Sequence, residues 1–140
     1  MRQVFIVWAL SVGLTLGLAV SVAAKDANQT AIEAIITDQI AAFQADDFPR
    51  AFSFASPTIK GLFGTPQNFG AMVQRGYPMV YRPHAVRILE LRELDGRLWQ
   101  RVMVTDQAGT THLLDYQVVE TPEGWQINAV QLLPQSGVGA

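Results

Sequence analysis

The fold class is decided by residues 84–106, HAVRILELRELDGRLWQRVMVTD, in which two apolar runs flank the dipeptide Asp95-Gly96. An Asp-Gly pair favours a two-residue turn with positive φ, and such a turn joins neighbouring antiparallel strands. The stretch therefore predicts a β-hairpin with strands at residues 84–94 and 97–106.

Two further strands are predicted after this hairpin, THLLDYQVVET at residues 111–121 and WQINAVQLLP at residues 125–134. Residues 107–110 and the tripeptide Pro122-Glu123-Gly124 separate them and have the composition of turns. Because every connection is short, we expect the four strands to form one antiparallel meander.

The part of the chain before residue 84 has helical periodicity. In TAIEAIITDQIAAFQ, residues 30–44, apolar side chains recur every three or four positions, and Thr30 with Glu33 forms a capping box that predicts a helix start at Thr30. Shorter helices are predicted to follow the capping positions Asp46-Asp47, Ser56-Pro57 and Thr65-Pro66. Helices followed by a meander indicate an α+β domain, with N-terminal helices packed on a curved antiparallel sheet of about four strands.

The first 24 residues have the pattern of an export signal. Arg2 is followed by an uncharged run at residues 4–22, and Val22-Ala23-Ala24 has small residues where a signal peptidase cleaves. We predict cleavage after Ala24, a short linker at residues 25–30, the domain at 31–134 and a disordered tail at 135–140. The alternative is a retained anchor helix, because the run approaches the roughly 20 residues that span a bilayer.

Composition limits the classes of function. The chain has 140 residues, half of them apolar, which suits a single core, and it has no cysteine, so it needs no disulfide framework. A formal charge of −2, with scattered arginines, predicts no nucleic-acid partner. We expect an exported, periplasmic protein that contacts the membrane only if its first helix is retained as an inner-membrane anchor facing the periplasm.

Two segments, FASPTIKGLFGTPQNF at residues 54–69 and GYPMVYRP at 76–83, carry a resemblance to a known family. Together with the closing strand GWQINAVQLLP they resemble the bacterial family called domain of unknown function 4864, over about residues 31–134. That family is similar in layout to the nuclear transport factor 2-like cone fold, which includes ketosteroid isomerase and polyketide cyclases. The resemblance implies a cone that packs solid or encloses a cavity, but it assigns no activity.

Enzymes of that superfamily place an acid or base and tyrosines inside the cone, so His112, Asp115 and Tyr116 are the catalytic candidates here. His112 and Asp115 are three apart and point to opposite faces of a regular strand, whereas His112 and Tyr116 share a face. If Leu114 points inward, His112 and Tyr116 line the cone as base and donor. The alternative is that both have only structural roles.

Ligand-binding candidates lie where the last helix meets the sheet: Met72, Tyr77, Met79, Tyr81 and Arg82. Methionine and tyrosine suit an adaptable apolar pocket with a polar handle, but they also fill cores. Arg82, in the segment YRPH, has the forked donors that bind a carboxylate; the alternative is a solvated arginine beside a bend at Pro83.

No metal or cofactor is predicted, because the two histidines do not cluster with carboxylates and no phosphate loop or serine elbow is present. The leading hypothesis is a non-catalytic protein that binds a small apolar molecule in the cone, or a protein partner on the exposed sheet face. Alternatives are an isomerase- or dehydratase-like enzyme and a membrane-anchored interaction module. A homodimer through the outer sheet face, with Trp99 or Val102, is also expected.

Overall fold

The computed structural model describes residues 16–134, with side chains from residue 27 onward. The element order is α1 (Leu16–Gln44), α2 (Phe48–Ser53), α3 (Pro57–Phe63), α4 (Pro66–Gly76), α5 (Pro78–Tyr81), β1 (Ala85–Leu94), β2 (Arg97–Thr105), β3 (Thr111–Thr121) and β4 (Gly124–Leu132). This is the predicted α+β arrangement of helices followed by a curved, open, four-stranded antiparallel sheet.

The short helices begin where the capping residues predict. Asp47, Ser56 and Thr65 each accept a hydrogen bond from a backbone amide in the first turn of α2, α3 and α4, and each of these helices has a proline at its start. The helix predicted over residues 30–44 is present, but its predicted start at Thr30 was wrong, because α1 (Leu16–Gln44) runs continuously through Thr30.

Most of the predicted export signal, and the whole of the predicted tail at residues 135–140, lie outside the described residues. Residues 16–30 belong to α1. None of the helices within residues 16–134 combines the length and the hydrophobicity needed to cross a bilayer.

The sheet is a meander in the order β1-β2-β3-β4, with each strand paired to the next. The β1–β2 turn is formed by Asp95 and Gly96, both with positive φ (53° and 74°), as the Asp-Gly pair predicts. Two β-bulges interrupt the pairing, one in β1 between Ile88 and Leu91 and one in β4 at Asn128. Bulges bend and twist the strand that carries them, which contributes to the curvature of the sheet.

The two faces of the sheet differ. The core face packs on the helices and carries fully buried apolar side chains such as Val102, Val104 and Leu114, which meet Ile36 and Phe43 of α1 in one cluster. Alternation along β2 places Trp99, Arg101 and Met103 on the opposite, outer face. Val102 therefore cannot contribute to an outer-face dimer, and that part of the dimer prediction was wrong.

The free edge of β4 is partly covered by the chain between α2 and α3. The Ser56 amide donates to the Ile127 carbonyl, and the Ile127 amide donates to the Phe54 carbonyl, both at 2.8 Å. Ala55 thus forms a short parallel bridge with Ile127. This bridge fixes α3 against β4 and creates one wall of the site described next.

Candidate functional site

An apolar cavity of about 250 Å³ lies between the helices and the core face of the sheet. Its lining comes from α1, α3, α4, α5, β3 and β4, and comprises Gln39, Phe43, Ala55, Ile59, Leu62, Phe63, Phe69, Met72, Val73, Tyr77, Val80, Tyr116, Ile127, Asn128, Ala129 and Val130. Leu62 is 72% exposed, so the lining reaches the surface at α3.

The helical wall of the cavity is largely aromatic. On α4, Phe69, Met72 and Val73 are spaced so that they share one face of the helix. The ring of Phe69 lies 5.7 Å from that of Phe43 and 5.8 Å from that of Phe63, measured between centroids, with tilted planes. Centroid distances of this size are typical of interacting aromatic pairs, so the three rings form a continuous wall.

The opposite wall depends on the bulge in β4. Asn128 has no partner opposite it on β3, and its side chain joins two elements instead. The Ser56 hydroxyl donates to Asn128 Oδ1, and Asn128 Nδ2 donates to Gln117 Oε1, both at 2.7 Å. Asn128 therefore ties the start of α3 to the sheet beside the cavity.

Two tyrosines, Tyr77 and Tyr116, contribute to the lining. The Tyr77 hydroxyl donates to the Val130 carbonyl at 3.1 Å. Tyr116 is 1% exposed, and its buried hydroxyl has no hydrogen-bond partner among the described residues. Burial, and next the proximity of Tyr77, raise the pKa of Tyr116 above its usual value, so its hydroxyl stays protonated.

The structure separates the three catalytic candidates. Leu114 points into the core, as the proposed site required, and His112 and Tyr116 share its face. Four residues of strand nevertheless place His112 and Tyr116 about 13 Å apart along β3. Tyr116 lines the cavity, whereas His112 lines a shallow groove with Met79 and Arg82.

His112 has a carboxylate partner that the sequence did not indicate. Its Nε2 lies 2.8 Å from Asp106 Oδ2, while Asp106 Oδ1 accepts from the Ala108 and Thr110 amides at 3.0 and 2.9 Å. The bond to His112, followed by that to the Thr110 amide, lowers the pKa of Asp106. These contacts hold the β2–β3 turn, so the pair has a structural explanation.

Asp115 lies on the outer face, away from the cavity. Its carboxylate accepts two hydrogen bonds from Arg92 (3.1 and 3.0 Å) and two from Arg101 (3.2 and 3.1 Å). Burial by itself opposes ionisation of Asp115, but the bonds from Arg92 and Arg101 outweigh burial and lower its pKa. Asp115 is thus an ion-pair centre of the sheet, and neither His112 nor Tyr116 can use it as a partner.

The five ligand-binding candidates lie in three different parts of the structure. Met72 and Tyr77 line the cavity, while Met79 is buried in the core and borders the shallow groove. Tyr81 and Arg82 form a separate cluster with Asp46.

In this cluster, Arg82 Nη2 donates to both carboxylate oxygens of Asp46 (3.0 and 3.1 Å), and Nη1 donates to the Phe43 carbonyl (2.8 Å). The guanidinium also stacks 3.9 Å from the Tyr81 ring centroid, and the Tyr81 hydroxyl donates to Asp46. The bond from Tyr81, followed by that from Arg82, lowers the pKa of Asp46. The Arg82 donors thus already hold a carboxylate of the protein itself at the end of α1.

The cavity has the chemistry of a binding site for a neutral molecule. No charged side chain occurs among the described residues that line it. Among the described side chains, which begin at residue 27, no three His, Asp or Glu residues are grouped closely enough to hold a metal ion.

Sequence reasoning found part of this lining. It named Met72, Tyr77 and Tyr116, but it did not identify Gln39, the aromatic side chain of Phe63 or the contribution of β4. The cluster of six phenylalanines between residues 43 and 69 was the available signal for an aromatic wall. The Asn128 bulge had no signal, because its position depends on pairing with β3.

Comparison with known proteins identifies a family without an assigned activity. Residues 25–140 match the family model described as Domain of unknown function (DUF4864). Searches of the curated proteins and of the solved structures give no significant match. The family resemblance is therefore confirmed, while the relation to the nuclear transport factor 2-like cone stays a prediction.

Proposed function

This chain belongs to the family described as domain of unknown function (DUF4864), and we propose that it binds a small apolar molecule in the cavity between its helices and its sheet. The observation that carries this proposal is the cavity itself, with its volume of about 250 Å³ and its apolar, uncharged lining. A cavity of about 150 Å³ lined by apolar side chains is already large enough to bind benzene.

The size of the cavity is an argument for an occupant. The cavity opens to the surface at Leu62, so its apolar lining is exposed to water and lacks contacts with other apolar groups. The rings of Phe43 and Phe63 border this volume and both pack against the ring of Phe69. A bound apolar molecule supplies the missing contacts.

Binding is favoured over acid–base catalysis by the same lining. An isomerase or dehydratase needs a general base within reach of the substrate, usually a carboxylate or a histidine. Among the described residues, the side chains that line the cavity include no Asp, Glu or His, and His112 and Asp115 lie elsewhere.

We propose that the protein acts after export, in the periplasm, on the basis of the signal-like residues 1–24.

Native mass spectrometry of the gently purified protein tests this proposal, with denaturation to release any bound molecule. We expect the native mass to exceed the denatured mass by that of a small organic compound. The variant Met72→Trp, which adds bulk to the cavity wall, is expected to lose the compound. The matched control Met103→Trp adds the same bulk to the outer face of the sheet and is expected to keep it.

A chain that carries no compound and that also takes up no added tetralin, a neutral bicyclic hydrocarbon, would refute binding in the cavity. If Met72→Trp and Met103→Trp lose the compound to the same extent, the compound is not bound in the cavity. Circular dichroism of each variant shows whether it has folded.

A further inference from the structure

All of the sulfur in this chain belongs to methionine, because the sequence has four methionines and no cysteine. Three of them, Met72, Met79 and Met103, lie within the described residues. Oxidation of methionine to the sulfoxide turns a flexible apolar side chain into a polar one. The surroundings of each methionine therefore decide where oxidation would change the protein.

The three methionines differ in accessibility and in place. Met79 is 7% exposed and belongs to the core. Met103 is half-buried on the outer face of the sheet. Met72 is also half-buried, but it lines the cavity, which opens to the surface at Leu62. A small oxidant that enters the cavity from solvent therefore meets Met72 in its wall.

The cavity wall is poorly suited to a sulfoxide oxygen, which accepts hydrogen bonds. No Arg, Lys or His occurs among the described residues that line it. The side chains of Tyr77, Asn128 and Gln39 already donate to other groups of the protein, and the Tyr116 hydroxyl is fully buried, out of reach of the cavity. A sulfoxide at Met72 would either stay unpaired or draw water into the cavity, and both results weaken contact with an apolar molecule.

We propose that Met72 is a reversible oxidation site, at which hydrogen peroxide forms the sulfoxide and thereby releases the apolar molecule from the cavity. The sulfur lone pair attacks one peroxide oxygen, the O–O bond breaks, and the second oxygen leaves as water after taking the proton of the transferred hydroxyl. The sulfur is oxidised by two electrons and the peroxide is reduced by two. Methionine sulfoxide reductases reverse the change. This inference deepens the proposed function and rests on it.

Peptide mapping by mass spectrometry, after a timed exposure to hydrogen peroxide, tests the site. We expect Met72 to be oxidised faster than Met79, because Met79 is buried. Added tetralin should slow the oxidation of Met72 and leave that of Met103 unchanged, since Met103 lies outside the cavity. Oxidation of Met72 at the rate of Met79 or more slowly would overturn the proposed site.

The effect on binding is measured as the ratio of the tetralin dissociation constant after oxidation to the constant before it. Titration of the isotope-labelled protein, followed by nuclear magnetic resonance, gives both constants. For the wild type we expect oxidation to raise the constant by roughly two- to thirtyfold, as a polar group added to an apolar site requires. Treatment with methionine sulfoxide reductases should restore the starting value.

Two leucine variants separate Met72 from the other methionines. In Met72→Leu, oxidation should leave the dissociation constant unchanged, and each variant is compared only with its own unoxidised form. Met103→Leu is the matched control, because it removes a half-buried methionine from the outer face, and it should keep the wild-type ratio. Circular dichroism of the oxidised samples shows whether they remain folded. If oxidised Met72→Leu loses as much affinity as oxidised wild type, the role of Met72 is refuted.

The outcomes also separate this inference from cavity binding. If the wild type binds tetralin equally well before and after Met72 is oxidised, control by Met72 is overturned while cavity binding stands. If the unoxidised wild type binds no tetralin, cavity binding itself fails, and control by Met72 fails with it.

Discussion

The closest packing between α2 and α4 depends on Gly70, and replacing it provides a quantitative test of the fold. A β-carbon built at Gly70 would lie 2.7 Å from Cδ1 and Cγ of Phe48 and 2.9 Å from Cε1. These atoms belong to one face of a ring that also stacks near Tyr81, with 6.4 Å between the centroids. Gly70→Ala therefore forces the Phe48 ring, or α4 itself, to move.

The magnitude follows from two opposing effects. Overpacking a well-filled core costs about 1–3 kcal/mol. Replacing glycine by alanine within a helix recovers up to about 1 kcal/mol. We expect Gly70→Ala to lower the free energy of unfolding by about 0–2 kcal/mol, the difference between these effects.

Gly61 provides the matched control because it is also helical, in α3, and a β-carbon there would meet nothing within 4 Å. Gly61→Ala should raise stability by about 0.5–1 kcal/mol through helix propensity alone. The two variants should therefore differ by about 1–3 kcal/mol, since the propensity gain cancels and the overpacking cost remains.

Urea unfolding followed by circular dichroism measures both variants against the wild type. The cost of Gly70→Ala should shrink in a Phe48→Leu background, because the smaller side chain relieves the contact, and this non-additivity identifies the ring as the cause. If Gly70→Ala is at least as stable as Gly61→Ala, the close approach of α2 and α4 is not as described here.

Three further variants test the hydroxyl, the ion pairs and the wall of the cavity. Tyr116→Phe should raise the free energy of unfolding of the ligand-free protein by up to about 1 kcal/mol in urea titrations, since a buried hydroxyl without a partner is destabilising; a clear loss would show that the hydroxyl is satisfied in the free protein. The pKa of Asp115 is lower in the folded state than in the unfolded chain, so ionised Asp115 stabilises the folded state. This contribution to the free energy of unfolding is present above about pH 5 and is lost as the pH falls through the folded pKa, which lies below 3.8. Asp115→Asn should flatten the acid side of the stability–pH curve, and an unchanged curve would argue against the ion pairs. Ser56→Ala should destabilise by more than the roughly 1 kcal/mol expected for Thr65→Ala, because both residues cap helices but Ser56 also holds Asn128; equal losses of thermal stability would contradict this.

Much of the fold was readable from the sequence because its signals are local. Asp95-Gly96 specifies a turn through the φ angles that these two residues tolerate, and this turn fixes the pairing of β1 with β2. The caps Asp47, Ser56 and Thr65 mark helix starts because each bonds an amide only three residues away. Because the connections between strands are short, consecutive strands pair with each other, and this pairing gives a meander. The start of α1 was missed because the capping pattern at Thr30 lies inside a longer helix.

The candidate site was only partly readable, because it depends on contacts between distant parts of the chain. Strand alternation placed His112 and Tyr116 on one face, but only the packing of the helices decides that Tyr116 meets the cavity and His112 a separate groove. The partners Arg92 and Arg101 of Asp115 come from two other strands, so their meeting depends on sheet register.

The cavity itself was decided by tertiary structure alone. Its walls come from six elements. Its volume depends on how the rings of Phe43, Phe63 and Phe69 pack and on the course of β4 at the Asn128 bulge. Local sequence specifies which residues are apolar and which face they share, because those properties depend on neighbours within a few positions. A void depends on how several such faces fit together, and a shift of one side chain can fill it or open it.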